Sequence, residues 1–331
     1  MLFLSAVNIQ ATLRPDYNEW FPYFSDDEMR LRLDRLPFSK ATLLTTPGIR
    51  QAVRIDRIYR HQLAGFLALP YSEQRREVAK VLRHVGISEH VVKAIGRVPR
   101  EKFCPPGTER YCYLNIFLPW SDGSCVSGPG IVALMIDDLL PVRGVVVEAG
   151  IGSGYHAACL LESCSGMVSV LGFEANSLYA EFGRECLRRA GYRDIEIIES
   201  DARSSELPGR RIDAIYCTAA GSWNHDAPIL RRLSDGGIFQ VVRPLSRYEF
   251  ESEPGSSWLW RTYGDFNGYR AGSWRRYACL STNVKTGDRL QERSHLYDVS
   301  FVPLQDEPVN SGRMNPRKWR AELDALLSDP V

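Results

Sequence analysis

The stretch GVVVEAGIGSGYHAACLLESC, residues 144–164, leaves few folds open. An apolar run ends in a carboxylate, glycines alternate with small residues, and an amphipathic segment follows. A short apolar run bounded by glycines reads as a buried strand. The segment after the glycines has helical spacing, with Gly166 just beyond it. The pattern then repeats. MVSVLGFE is a second strand, and NSLYAEFGRECLRRAG opens on the capping residue Asn176 and ends in basic residues before Gly191, as a helix does. IEIIE, IDAIYCTA and GIFQVV read as three more strands, with APILRRLSDGG as a helix before the last of them. Strands alternating with helices of this length predict an α/β, Rossmann-like fold: a mostly parallel, seven-stranded sheet with helices on both faces.

Outside this block the pattern changes. SEQRREVAKVLRHVG and SEHVVKAIGRV read as two helices with Ser72 and Ser88 in capping positions. Three regions are expected: an N-terminal helical extension over 1–72, a central α/β domain over 73–306, and a C-terminal tail over 307–331. Within the domain, residues 246–275 carry Trp258, Trp260 and Trp274 without periodicity and read as an insertion. RRYACLSTNV and SHLYDVSFVPL read as late strands. In the extension, SDDEMRLRLDRL is a capped helix, and Arg50, Arg54 and Arg57 fall along one side of another. That row reads as a solvated face or as a docking surface for an acidic or extended peptide.

The formal net charge of +1 argues against a broad electrostatic grip on nucleic acid or anionic lipid. The start, MLFLSAVNIQATLRPD, has no basic n-region or long apolar core, so no signal peptide and no membrane span is expected, and the location expected is cytoplasmic. The eight cysteines include no CxxC pair and the six histidines are scattered, so no metal site is expected. Reduced thiols fit a cytoplasmic protein.

The glycine turn specifies its ligand by what it lacks. A dinucleotide fingerprint, G-x-G-x-x-G, needs a third glycine at 155, where this chain has Tyr155. What remains is Gly150, Gly152 and Gly154 after Glu148. Glu174 closes the second strand, where a carboxylate can accept from both ribose hydroxyls. Asp201, with Ala202 beside it, follows the third strand and is placed to meet an adenine amino group. Glu148 is expected to point toward the amino-acid tail. Together these residues spell S-adenosyl-L-methionine, with S-adenosyl-L-homocysteine as product, and a class I methyltransferase.

VVKAIGRVPREKFCPP, YLNIFLPW, VSGPGIVALMIDDLL, EAGIGSGYHAA and VSFVPL occur in the order seen in protein-L-isoaspartate O-methyltransferases, which the chain resembles from about Gln74 to Gln305. The resemblance implies transfer of a methyl group to the side-chain carboxylate of an isoaspartyl residue, giving an ester that cyclises to a succinimide. It implies that Ser127 is the active-site serine, orienting that carboxylate, and that the Val302 backbone pairs with the substrate peptide. Ser127 reads equally well as the N-cap of the helix that follows. The acceptor is ionised near neutral pH, its reference pKa being about 3.9, so no general base is required. His156, where the family admits His or Gln, reads as a wall of the cofactor pocket, and His225 as a loop histidine.

The departures from the family fall on the substrate side. SDGSCVS replaces a G-x-G-Q-T motif, Asn115 stands where an Asp is often found, Trp223 and His225 replace small residues, and RPLSRYEF replaces a tight turn. With the extra N-terminal segment, they favour a dedicated peptide substrate over general repair, the partner being a peptide or protein that carries aspartate or isoaspartate. A non-catalytic adaptor for isoaspartyl ends and a small-molecule O-methyltransferase are the alternatives.

Overall fold

The computed structural model describes residues 65–84, 86–115, 118–121, 124–207, 209–220, 223, 227–244, 278–297 and 321. The helices expected before residue 65, the Arg50–Arg54–Arg57 row, the 246–275 insertion, Val302 and the tail over 307–331 lie outside them. Among the described residues, those up to Leu134 form one compact unit and those from Met135 to Tyr297 another.

The first unit opens with α1 (Tyr71–His84) and α2 (Glu89–Arg97), two amphipathic helices. Ser72 is not a cap: α1 begins one residue earlier, and the Pro70 carbonyl accepts the first helical N–H bonds, from Glu73 and Gln74. With the Pro70 carbonyl accepting these bonds, the serine falls inside the first turn. Ser88 does occupy the N-cap of α2, though its side chain makes no capping bond. The apolar face of α2 buries Val91, Val92, Ala94 and Ile95. Two 3₁₀ turns follow, Arg100–Lys102 and Glu109–Tyr111, then a short antiparallel pair, β1 (Leu118–Ser121) and β2 (Ser124–Val126). Helix α3 (Pro129–Leu139) starts here and ends in the second unit.

The second unit is the expected sheet. Its strands are β3 (Gly144–Ala149), β4 (Val168–Glu174), β5 (Glu196–Glu199), β6 (Ile212–Ala220), β7 (Leu233–Pro244), β8 (Ala278–Thr286) and β9 (Arg289–Tyr297), in the order β5-β4-β3-β6-β7-β8-β9. The first five strands pair in parallel, and β8 and β9 add antiparallel. Helices α4 (Tyr155–Ser163) and α5 (Ser177–Ala190) make the first two crossovers. Helix α5 has the boundaries its sequence signals: Asn176 Oδ1 accepts from the Leu178 N–H at 2.9 Å, and Gly191 ends it at φ +90°.

The helix expected over APILRRLSDGG shrinks to one turn, α6 (Pro228–Arg231). Strand β7 starts at Leu233, because the Arg232 carbonyl accepts the Ile212 N–H at 3.0 Å and draws the chain onto β6. The segment Ser234–Gly237 is then an irregularity in the strand, with Gly236 at φ +78°. Sheet pairing outcompetes four residues of modest helix propensity.

The core of this unit joins strand residues Val147, Leu171, Phe173 and Ile215 to Ile229 and Phe239. A buried polar cluster fastens α3 to the far strands. Gln240 Nε2 lies within hydrogen-bond reach of the Met135 carbonyl at 3.1 Å, Thr282 Oγ1 at 3.2 Å and Asp138 Oδ2 at 3.3 Å. Thr282 donates to Asp138 as well.

The sheet reverses direction at β3: the chain steps outward to β4 and β5, then returns to pair β6 on the other side of β3. Such a switch point opens a crevice at the carboxyl ends of the strands, which is where ligands bind in open α/β sheets. The glycine turn sits there, between β3 and α4, and two further glycines let it seat. A Cβ at Gly172 would lie 2.2 Å from Ile151 Cδ1, and one at Gly183 would lie 2.3 Å from the Gly152 carbonyl oxygen. In an exposed helix, glycine to alanine gains up to about 1 kcal/mol. At position 183 the clash is with backbone and should outweigh that gain. Gly183→Ala is expected to destabilise the protein by about 1–3 kcal/mol, read from urea unfolding. A more stable variant would show that α5 can move away from the turn.

Candidate active site

Glycine is required in the turn by conformation: Gly150, Gly152 and Gly154 have φ of +80°, +51° and +80°. The Gly150 and Ile151 N–H groups both donate to the Phe173 carbonyl, at 2.8 and 3.0 Å, which pins the turn to the end of β4. At Gly152 the nearest atom to an added Cβ would be the Gly150 oxygen, 3.9 Å away, so that side of the main chain is open to a ligand.

Glu174 ends β4 beneath this turn. Its Oε2 accepts from the Gly152 N–H and its Oε1 from the Asn176 N–H, both at 3.1 Å. Burial raises its pKa, and those backbone N–H groups pull it back. Each carboxylate oxygen has further lone pairs, so two ribose hydroxyls can still be accepted. Asp201 follows β5. Its Oδ1 accepts from the Arg203 N–H at 2.9 Å, and its Oδ2 meets Arg203 Nη2 at 2.6 Å. The arginine two residues on therefore fixes the carboxylate rotamer. Ala202 is buried against the core.

Glu148 is arranged otherwise than the sequence suggests. Its side chain is 1% exposed and turned into the protein. Glu148 and Tyr216 are register partners on β3 and β6, and the Tyr216 hydroxyl donates to Oε2 at 2.7 Å. Thr218 Oγ1 lies 3.3 Å from Oε1 and donates to the Gly150 carbonyl at 2.7 Å. Burial lifts the Glu148 pKa to about 8, against the lowering effect of the two hydroxyls. The Tyr216 phenol is pushed well above its usual value by the same burial, so it stays a donor. The carboxyl thus ties β3, β6 and the start of the turn together.

His156 lies against Tyr216, ring centroids 4.8 Å apart, and neither ring nitrogen has a hydrogen-bond partner among the described residues. Burial lowers its pKa to about 3, so the imidazole is neutral at physiological pH. That fits a wall and not a base. Trp223 packs edge-on to Phe239 at 5.3 Å. It therefore joins the sheet core. His225 lies outside the described residues.

Ser127 belongs to the first unit and is half-buried. It is not the N-cap of α3. The helix starts at Pro129, the Val132 N–H donates to the Gly128 carbonyl, and the Gly130 N–H donates at 2.8 Å to Asn115 Oδ1. Asn115 does the capping, which leaves the serine hydroxyl without that task. Arg100, missed by the sequence reading, donates to the Ser127 carbonyl at 2.7 Å. Gly172, Gly183, Tyr216 and Thr218 were also missed. The signal for the glycines was their isolation inside a strand and a helix.

Among the described residues no group of His, Cys, Asp and Glu is placed to hold a metal, and no helix is long and apolar enough to cross a membrane. The fold, the switch-point turn and the acidic ends of β4 and β5 define the class: an S-adenosyl-L-methionine-dependent methyltransferase. The model of the protein-L-isoaspartate(D-aspartate) O-methyltransferase family matches residues 73–251. The chain belongs to that family. A protein-L-isoaspartate O-methyltransferase of Methanoculleus marisnigri is 36% identical over 183 residues, 54% of this chain and 80% of that one. One from Ignicoccus hospitalis is 33% identical over 200 residues, 60% and 91% of the two chains. A solved protein-L-isoaspartate O-methyltransferase superposes with TM-score 0.54 at 20% identity, over 71% of this chain and 67% of the other. A Plasmodium falciparum protein assigned the same activity, solved with S-adenosyl-L-homocysteine, gives 0.51 at 19%, over 72% and 100%. At these identities the two structures speak to the fold alone.

The donor is S-adenosyl-L-methionine, and the residues present fit it: an open main chain at Gly152, and carboxylates at the ends of two adjacent strands.

The two buried groups make opposite pH predictions. Glu148 rises from 4.5 to about 8 in the fold, so its stabilising contribution is complete below pH 4.5 and lost as pH climbs through 8. His156 falls from 6.5 to about 3, so its contribution is complete above pH 6.5 and lost as pH drops toward 3. From pH 6.5 to 8 the Glu148 effect acts without the other. Unfolding free energy without cofactor should fall there by at most about 1.4 kcal/mol per pH unit, and Glu148→Gln should flatten the slope. Equal slopes in both proteins would assign the decline to other groups.

Proposed function

We propose that this enzyme transfers the methyl group to the side-chain carboxylate of an isoaspartyl or aspartyl residue in a peptide or protein. The observation that carries this reading is Ser127. It follows the β1–β2 pair directly, is relieved of helix capping by Asn115, and is half-buried. A hydroxyl so placed orients an anionic acceptor by one hydrogen bond while leaving its second oxygen nucleophilic. The relatives' shared name supports the same acceptor.

The bound cofactor supplies a methyl group on a sulfonium. The chain's own work is to bind and align. Glu174 accepts from the ribose hydroxyls, Asp201 with Ala202 meets the adenine edge, and Gly150, Gly152 and Gly154 let the tail lie against the main chain. Glu148 acts through the strands, holding the turn by way of Tyr216 and Thr218. The resemblance assigns main-chain pairing with the peptide to Val302, which lies outside the described residues. The acceptor oxygen displaces the sulfide and no proton moves, because the carboxylate is already ionised. Charge is neutralised as the bond forms, so exclusion of water favours the step. The ester then closes to a succinimide when the adjacent backbone nitrogen attacks and methanol leaves.

A dedicated peptide substrate, of the kind tailored during natural-product biosynthesis in the cytoplasm, is favoured over general repair. The family match starts at residue 73, which leaves 72 residues before it, and the resemblance places Asn115 and Trp223 among its departures on the substrate side.

Two measurements test these readings. S-adenosyl-L-homocysteine should bind wild type, and Glu174→Ala should weaken binding by roughly ten- to a hundredfold, the worth of hydrogen bonds to a charged group. Unchanged affinity would remove Glu174 from the cofactor site. Radiolabelled methyl transfer to a short isoaspartyl peptide and to its aspartyl twin tests the acceptor. Transfer to at least one supports the carboxyl reading, and transfer to neither, with cofactor binding intact, overturns it. Ready turnover of arbitrary short isoaspartyl peptides would sink the dedicated-substrate reading and leave repair.

A further inference from the structure

Arg100 is 0% exposed, an unusual place for a guanidinium. It lies at the start of the 3₁₀ turn after α2, and its terminal nitrogens are directed at main-chain oxygens. Nη2 donates to the Ser127 carbonyl at 2.7 Å and reaches the Val126 carbonyl at 3.4 Å, while Nη1 donates to the Cys112 carbonyl. The other end is held too. The Arg100 N–H donates to the Tyr113 hydroxyl at 3.0 Å, and Tyr113 donates in turn to Glu101, which stands 4.0 Å from Arg75. These residues all belong to the first unit.

Burying a charge carries a desolvation penalty of several kcal/mol per ion, and an apolar side chain of similar volume would fill a packing role at lower cost. The planar fork of arginine offers what such a side chain cannot. It reaches carbonyls on two segments at once, with little freedom left at the tip. One of those segments is residue 127 itself. We propose that Arg100 is the positioning residue for Ser127: by gripping the 126–127 carbonyls from the 112–113 side, it fixes the main chain so that the serine hydroxyl meets the acceptor carboxylate in one geometry. The inference rests on the role proposed for Ser127 and deepens it. Arg100 is not itself in contact with the acceptor. Its influence is large because a misplacement of about 1 Å in an aligned site costs on the order of a hundredfold in rate.

The experiment uses full-length wild type, Arg100→Lys, Arg100→Gln, Ser127→Ala and the Arg100→Lys/Ser127→Ala double variant. It measures kcat/KM for the better of the two peptides above and, by calorimetry, S-adenosyl-L-homocysteine affinity. Lysine keeps the charge but loses the fork, and glutamine keeps one amide donor without the charge. Arg100→Lys is expected to lower kcat/KM by roughly tenfold or more, with cofactor affinity within about twofold of wild type. None of the arginine's bonds named above reaches the cofactor turn. The double variant should match Ser127→Ala, since a residue acting through the serine has nothing left to act on.

Multiplicative effects in the double variant would overturn the proposal. So would full activity in both Arg100 variants, or cofactor affinity falling in step with activity, which marks a general folding role. A wild type that binds cofactor but methylates neither peptide would instead overturn the acceptor assignment, and this inference with it.

Discussion

A carboxyl group buried between two strands organises the second unit. Glu148 sits in register with Tyr216, and their 2.7 Å hydrogen bond, with Thr218 on the other oxygen, closes the sheet where the strand order reverses. A buried acid is tolerated only when its hydrogen bonds are met and its proton can be kept. Here both hold: two hydroxyls face it, and burial lifts its pKa to about 8. Thr218 carries the same support to the Gly150 carbonyl, so the glycine turn is hung from the strand end. The geometry of the glycine turn thus depends on a carboxyl group buried behind it.

The turn is held from the opposite side by absences. Gly172 and Gly183 remove side chains where Ile151 and the Gly152 carbonyl must lie. Close packing of helix, turn and strand therefore sets the height of the turn. Glu174, with one oxygen on Gly152 and the other on Asn176, sets its angle. Interiors packed this tightly transmit small displacements without absorbing them.

Much of this was legible in the sequence. The β3-α4-β4-α5-β5-β6 run follows from periodicity, because each element is long enough and capped clearly enough to declare itself, Asn176 and Gly191 most plainly. The glycine turn and the acids at 174 and 201 followed from spacing. What escaped was set by contacts between distant residues. Tyr216 meets Glu148 across 68 positions, Arg100 meets Ser127 across 27, and Asn115 caps a helix 15 residues away. None of these leaves a local pattern. The shortened α6 was lost to the same kind of competition, a β6–β7 pairing prevailing over a local helical signal. Ser72 was misread for a simpler reason: a proline two residues earlier is the stronger start signal.

The Asn115 cap has an electrical consequence. The first turn of α3 carries a partial positive charge, about half an elementary charge for an ideal helix. An aspartate at 115 would cancel it, and would set a second negative charge near any carboxylate drawn to Ser127. The amide satisfies the same Gly130 N–H and adds no charge. The helix end therefore keeps its attraction for anions. A carboxylate bound at Ser127 would meet a favourable potential there, and a neutral ester formed from it would lose that hold.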